Sequence, residues 1–410
     1  MPDRDTTDIA IVGGGLVGAC LAFSLRRLPF RVTVLEAFEI GHAQQPSFDD
    51  RSVAVAHGSV LLLQQMGIWE HLKQYGCGIQ QIQVSEKGRF GVTRMNAEEE
   101  HVDALGYVLE NRLIGRVLAE RLHDVTQSGQ IQWLAPAKVN DVHVLENHVQ
   151  LDYAYQGVQR SLKSSLVVAA DGAHSIVRRK MSLPVKEKEY GIHTLIANVQ
   201  TQLPHRGVAY ERFTPSGPLA CLPLNDFAAQ HRSAIVVSLK QHELERWRAM
   251  RECAFLSALQ ARFGYRLGRL IKAGRRQIYP APLIHSKTCI ARRTLMVGNA
   301  AQALNPVAGQ GFNLALREVA TLLSVLPTGV GSDPGAHNVL DRYAAQCRGD
   351  RRRTLVLTHG LVTIFSNDLS VLSHLRAGGL MMTDLIPLLR KRFVRQGMGL
   401  MGKRLIREGR

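Results

Sequence analysis

The chain has 410 residues, 45% of them hydrophobic, and a formal net charge of +17 from 51 Lys+Arg against 34 Asp+Glu. That length suits two packed domains, or one domain carrying a large insertion, around a sizeable core. No run of about 18 apolar residues occurs, so no membrane-spanning helix is expected. The opening Met1-Pro2-Asp3-Arg4-Asp5 does not read as a secretory signal. Six cysteines at 20, 77, 221, 253, 289 and 347 form no CxxC pair. Buried, reduced thiols are expected, with no disulfide framework and no metal site.

Along the chain, Asp8–Gly13 predicts a short apolar strand, Gly15–Leu28 a helix and Arg31–Glu36 a second strand. Together they make a βαβ unit. The stretch from Ser52 to Gly76 predicts helix for most of its length, and Gly115–Asp124 predicts another. Residues 139–172 predict hairpin strands and then an apolar strand that delivers Asp171-Gly172. Residues 190–280 predict an antiparallel sheet with one helical stretch, Glu243–Phe263. The segment "TLMVGNAA" predicts a strand, and "GQGFNLALREVATLLSVL" a strong helix with Phe312, Leu316, Val319 and Leu323 on one side. Val339 to Arg410 predicts mainly helix. The expected fold class is mixed α/β: residues 1–185 and 286–330 form a Rossmann-like dinucleotide domain. Residues 186–285 form an inserted antiparallel-sheet substrate domain, and residues 331–410 a basic helical region.

Three stretches carry chemistry. Gly13, Gly15 and Gly18 fit G-x-G-x-x-G between a strand and a helix. The first permits a tight turn, the second lets the backbone approach a pyrophosphate, and the third lets helix and strand pack closely. The unpaired N–H groups and positive dipole of the helix start favour phosphate. Glu36, ending the second strand, suits ribose hydroxyls. The second stretch holds Asp171, Gly172, Ser175 and Arg178 at a strand-to-helix corner; alone, it fits any such corner capped by Asp. The third runs from Gly298 through Pro306, Gly309 and Gly311 into the long helix. Its backbone N–H groups from Gly309 to Asn313 suit an anionic or electron-rich group, and a glycine hinge before a core helix is the plainer alternative.

Taken together, these stretches resemble the FAD-dependent aromatic hydroxylases of the para-hydroxybenzoate hydroxylase type, and within them the ubiquinone-biosynthesis hydroxylases. The resemblance covers Ile9 to about Phe365. The family pattern DGxxSxxR matches Asp171, Gly172, Ser175 and Arg178. The pattern GDAAHxxxPxxGQGxN matches Gly298, Ala300, Ala301, Pro306, Gly309, Gln310, Gly311 and Asn313. Asn299 stands for the usual Asp and Gln302 for the usual His, so weaker FAD retention is expected. The spelling "GNAAQ", with "FDDRSVAVAHGS" and "YERFTPSGPLACLPLND", is similar to the branch acting on 2-octaprenyl-6-methoxyphenol.

The resemblance implies an FAD-dependent monooxygenase. Its implied FAD-binding residues are Gly13, Gly15, Gly18, Glu36, Arg51, Arg112, Asp171, Gly172, Arg178, Gly298, Asn299, Pro306, Gly309, Gly311 and Asn313. The resemblance also implies that the loop of Pro306, Gly309, Gln310 and Gly311 lies at the flavin edge. In this class NADPH or NADH reduces FAD, O2 adds to form a C4a-hydroperoxide, and its distal oxygen attacks a phenol ring. No second glycine motif follows, so a separate nicotinamide domain is not expected. His193 and Tyr210 read as structural, and no general base is assigned. Phe213, Pro218, Leu219 and Leu222 are candidate pocket walls, with core packing as the alternative.

The expected partners are a prenylated phenol and O2, with no nucleic acid. Other ubiquinone-biosynthesis proteins and a homo-oligomer are further possibilities. The basic residues Arg351-Arg352-Arg353 and Arg390 to Arg410 read either as a solvated helix face or as a surface docking on anionic lipid. With the apolar Leu380–Leu389 stretch, they suggest a cytoplasmic protein held peripherally at the membrane. Two alternatives stay open: a hydroxylase of the same fold acting on another ring position or substrate, and a non-catalytic scaffold.

Overall fold

The computed structural model of the chain describes residues 5–39, 41–42, 51–89, 91–304, 309–365, 394–395 and 397–400. Five parallel strands form the body of an eight-stranded nucleotide sheet, completed by the antiparallel strands Ala137–Val144, Val149–Tyr155 and Ile290–Ala291. The order of the five across it is Thr294–Met296, Val158–Ala169, Thr6–Val12, Val32–Leu35 and Ile131–Leu134. The central strands are apolar on both faces because both are covered: Ile9 and Ile11 enter one core, while Ala10 and Val12 enter another. Register pairs Val12 with Ala169, and Ala169 with Met296. The three motif-bearing turns therefore leave adjacent strand ends side by side, the usual ligand edge of an open parallel sheet.

A second, eight-stranded sheet runs in the order Leu270–Ala273, Ile192–Thr201, Gln230–Lys240, Gly217–Phe227, Val208–Thr214, Gln81–Glu86 and Val92–Asn96, with Gln277–Pro280 also paired to Ile192–Thr201. It differs from the expected antiparallel sheet of residues 190–280. Two strands come from earlier in the chain, and Val208–Thr214 joins Gln81–Glu86 in parallel. One face of this sheet packs Leu195, Val237 and Leu239 on Phe255, Leu259 and Phe263 of the Glu252–Phe263 helix. The other face turns toward the nucleotide sheet.

Two helical expectations are corrected. Ser52–Ala56 is a strand, because its alternating valines pair with Gly106–Glu110; the helix starts at His57. The Glu243–Phe263 stretch splits into Leu244–Ala249 and Glu252–Phe263, with Met250 and Arg251 in extended conformation between them.

The basic Arg351–Arg353 run is also corrected. Arg352 and Arg353 are exposed, but Arg351 is buried on the His337–Phe365 helix. Its Nε donates to Glu318 Oε1 at 2.6 Å. The remaining basic and apolar residues of the C-terminal expectation, apart from exposed Arg395, lie outside the described residues. No helix among the described residues is long and apolar enough to cross a membrane. All six cysteines are free thiols, and only Cys253 is exposed.

Candidate active site

A cavity of about 1460 Å³ lies between the two sheets. At the nucleotide end, Gly13 has φ +99°, and a Cβ there would stand 2.6 Å from the carbonyl oxygen of Ala170. The first glycine turn is thus pressed directly onto the Asp171-Gly172 turn. A Cβ on Gly18 would meet the Gly13 carbonyl oxygen at 2.0 Å, so the helix Leu16–Leu25 rests on the turn itself. Gly14, not singled out in the sequence, packs under Trp133 and donates its N–H to Glu36 Oε2. Glu36 Oε1 accepts from the Phe38 N–H at 3.0 Å. Burial raises the Glu36 pKa, and these backbone N–H groups oppose that rise. The carboxylate is fixed at the cavity wall, where unused lone pairs suit ribose hydroxyls.

Asp171 Oδ2 accepts the Ile176 N–H at 2.7 Å, while Oδ1 is buried with no hydrogen-bond partner. Burial, above all, raises its pKa. Asp171, Gly172 and exposed Asn299 line the cavity together with Gly13, Gly15, Glu36 and Arg51. The Gln310–Val325 helix presents its start there: Gly309 caps it in the left-handed region at φ +59°, and Gly309, Gln310 and Gly311 line the same space. Arg51 stacks 5.0 Å above the Tyr279 ring, linking this end to the second sheet.

Five of the expected FAD residues do not line the cavity and instead hold its walls. Gly18 and Gly298 sit beneath their turns. Arg178 donates to the carbonyls of Ala300 at 2.8 Å and Ala173 at 2.6 Å, stitching the second motif to the third. Asn313 accepts from Ala56 N–H and donates to the carbonyls of Ala54 and Gly309, each at 2.8 Å. This fixes the strand that follows Arg51 against the glycine loop. Arg112 is half-exposed and pairs with Glu110 at 2.8 Å; Glu110 also takes Arg232 at 3.0 Å. Pro306 lies outside the described residues.

Gln302 faces inward. Its Nε2 donates to Glu318 Oε1 at 2.6 Å, and Glu318 Oε2 accepts the Gly298 N–H at 2.7 Å. With Arg351 and Tyr343, whose hydroxyl donates to Met296 O at 3.1 Å, this buried network carries the Gly298-Asn299 turn from below.

At the other end the walls come from the second sheet. Phe213, Leu222, Val84, Ala220, Val236 and Ile196 line the cavity. Of the four candidate wall residues, Phe213 and Leu222 are therefore placed there. Leu219 belongs to the core on the opposite face, because its position alternates with Ala220, and Pro218 does not line the cavity. Tyr210 borders the cavity but turns its ring edge-on to Phe263 at 5.5 Å. His193 is not among the lining residues. Glu211, which the sequence reading passed over, stands within this apolar wall.

A parallel sheet whose strand-end glycine turns open onto a cavity walled by a second sheet has the form of a dinucleotide-binding protein, and the comparisons specify its class. The chain belongs to the FAD binding domain family, which it matches over residues 6–356, and it is an FAD-dependent monooxygenase. It is 32% identical to the ubiquinone hydroxylase UbiL of Rhodospirillum rubrum, over 96% of this chain and 89% of that protein. It is 28% identical to the 3-demethoxyubiquinol 3-hydroxylase of Escherichia coli, over 96% and 99% of the two chains. Among solved structures it matches the p-nitrophenol 4-monooxygenase PnpA of Pseudomonas putida with a TM-score of 0.80, at 18% identity over 98% and 100% of the chains, a likeness of fold.

Proposed function

We propose that this chain hydroxylates the ring of a polyprenyl phenol of the 2-polyprenyl-6-methoxyphenol type in ubiquinone biosynthesis, using NAD(P)H and O2. The single observation that carries the reading is the shared cavity, with bare glycine turns at one end and an apolar sheet face at the other. Relatives named for ubiquinone hydroxylation, matched over nearly their whole length, support the substrate class. When bound, FAD supplies the route for electrons from nicotinamide to dioxygen.

This chain's residues do the rest. Gly13 to Gly15 and the start of the Leu16–Leu25 helix bind pyrophosphate, and Glu36 takes ribose hydroxyls. Asp171 and Asn299 offer polar atoms to the ribityl chain. The N–H groups at Gly309 to Gly311, with the helix dipole behind them, favour negative charge at the flavin edge. Phe213, Leu222 and Val236 exclude water from the ring and accept its prenyl side.

Purified protein should be yellow, oxidise NADH faster when a prenylated methoxyphenol is added, and yield a phenol one oxygen heavier. Colourless protein that takes up no FAD contradicts this reading. The same-fold alternative, hydroxylation at another ring carbon, is favoured by the name of the Escherichia coli relative. Product analysis with defined phenols separates the two. A bilayer-soluble substrate also supports peripheral membrane association through residues 376–410. Deleting them should release the protein from membranes, and unchanged partition contradicts that.

A further inference from the structure

The second sheet carries one carboxylate into the cavity, and its surroundings single it out. On the strand Val208–Thr214, Ala209, Glu211 and Phe213 share the cavity face by the period of two. The adjacent Arg212 points away, donating to the Arg262 carbonyl at 3.1 Å. Register sets Glu211 opposite Val84 on one neighbouring strand and Ala220 on the other, and Ala220 lies opposite Val236. All three are apolar. An acid in such a wall costs stability unless something pairs with it. Three other acids near the cavity are paired: Glu36 by Gly14 and Phe38, Asp171 by Ile176, and Glu110 by Arg112 and Arg232. Among the described residues Glu211 has no ion pair or side-chain hydrogen bond.

Resting on the phenol-hydroxylase reading above, we propose that Glu211 is the catalytic base that accepts the hydroxyl proton of the phenol. The phenol O–H bond breaks, an O–H bond forms on the Glu211 carboxylate, and the electron pair stays on the phenolate oxygen. Charge and atoms balance with no further reactant. That electron pair enriches the ring carbons ortho and para to the oxygen, where an electrophilic oxygen attaches. Burial pushes the Glu211 carboxyl up to about 7, with no charged neighbour contributing. A base poised there is ionised at working pH and is still basic enough to take a proton.

The titratable groups on the walls around it are few. Tyr210 borders the cavity beside Glu211 with its ring against Phe263, Tyr279 lies on the strand Gln277–Pro280 beneath Arg51, and Glu86 stands opposite Phe213 at the end of Gln81–Glu86. Glu36, Asp171, Lys138, His174 and Arg179 belong to the nucleotide end.

The test uses FAD-loaded wild type, Glu211→Gln and Glu211→Asp, with 2-methoxy-6-prenylphenol as the probe. Wild-type kcat should fall about tenfold per pH unit below about pH 7 and level off above it. Glu211→Gln should lose roughly 100-fold or more in kcat, with little change in KM for the probe, and should lose that pH limb. Glu211→Asp should recover part of the rate. A readout independent of turnover is the infrared band of a protonated carboxyl: in wild type it should titrate near pH 7, and in Glu211→Gln it should be gone. Glu211→Gln with wild-type kcat and an unchanged pH limb overturns the proposal, and so does a wild-type-minus-variant infrared difference that shows no carboxyl band titrating near pH 7. If wild type hydroxylates no phenol at all, the functional reading itself fails and this assignment falls with it. The two failures are told apart by whether wild type turns over.

Discussion

The two ends of the cavity are built on opposite terms. At the nucleotide end, polar contact comes from backbone: glycine turns and N–H groups pressed together at adjacent strand ends, with carboxylates tied down by several hydrogen bonds. At the sheet end, side chains make an apolar wall, and the carboxylate in it has no protein partner among the described residues. At Gly13 and Gly18 the first end has no room for a side chain. The second can tolerate change in shape but holds one group whose protonation matters.

The difference breaks most sharply at Gly18. Gly18→Val places side-chain atoms where the Gly13 carbonyl stands, so helix and turn must separate. The expected outcome is loss of FAD and at least about 3 kcal/mol of stability, read by flavin content and urea unfolding. A matching substitution in the other wall, Leu222→Val, should cost no more than about 1.5 kcal/mol and should leave FAD bound.

Next is the network beneath the third turn. Arg351→Met leaves Glu318 buried without its guanidinium, and loss of one partner of a buried pair costs about 3–5 kcal/mol. Unfolding in denaturant checks this, and a loss below about 1 kcal/mol would show the network to be incidental.

At the sheet end the sign reverses, because Glu211 destabilises the fold when ionised. Its carboxyl moves from an ordinary 4.5 to about 7 on folding, so the unfolded chain ionises first. The stability its neutral form retains is complete below about pH 4.5 and is lost as pH rises through about 7. Glu211→Gln should therefore raise the melting temperature of phenol-free protein more at pH 8 than at pH 5. The upper bound is about 3 kcal/mol, lowered by water in the cavity. Equal shifts at both pH values would contradict the burial argument.

Smaller effects sharpen the nucleotide end. Asn299→Asp restores an ionised acceptor at the exposed cavity position and should tighten FAD several-fold, about 1 kcal/mol, by equilibrium titration. Arg112→Ala should change FAD affinity by less than about 1 kcal/mol, because the side chain is half-exposed and spent on Glu110.

The nucleotide end was legible in the sequence because its determinants are local. Gly13, Gly15 and Gly18 act within one turn, and Glu36 ends the next strand. What escaped depends on partners distant in sequence. Arg112 lines up with an FAD-contacting position of the family, yet it pairs with nearby Glu110, which Arg232 holds from the other side. Arg351 read as one of three surface arginines, solvated or docking on lipid, and Glu318 on another helix buries it. Gln302 stands where the family has His and serves that same acid.

Glu211 left a faint signal, a charge on the apolar side of the alternation Ala209, Glu211, Phe213. Its meaning required Val84 and Ala220 from two other strands, one of them joined in parallel from outside the predicted sheet. Ser52–Ala56 likewise became a strand only through Gly106–Glu110 and the Asn313 amide.

The most direct measurement of the whole account is product mass after turnover under isotopically labelled dioxygen, with FAD-loaded protein, NADH and 2-methoxy-6-prenylphenol. One labelled oxygen atom in the recovered ring, in proportion to the NADH consumed, is the predicted result. NADH consumption with unaltered phenol, or oxygen drawn from water, would contradict it.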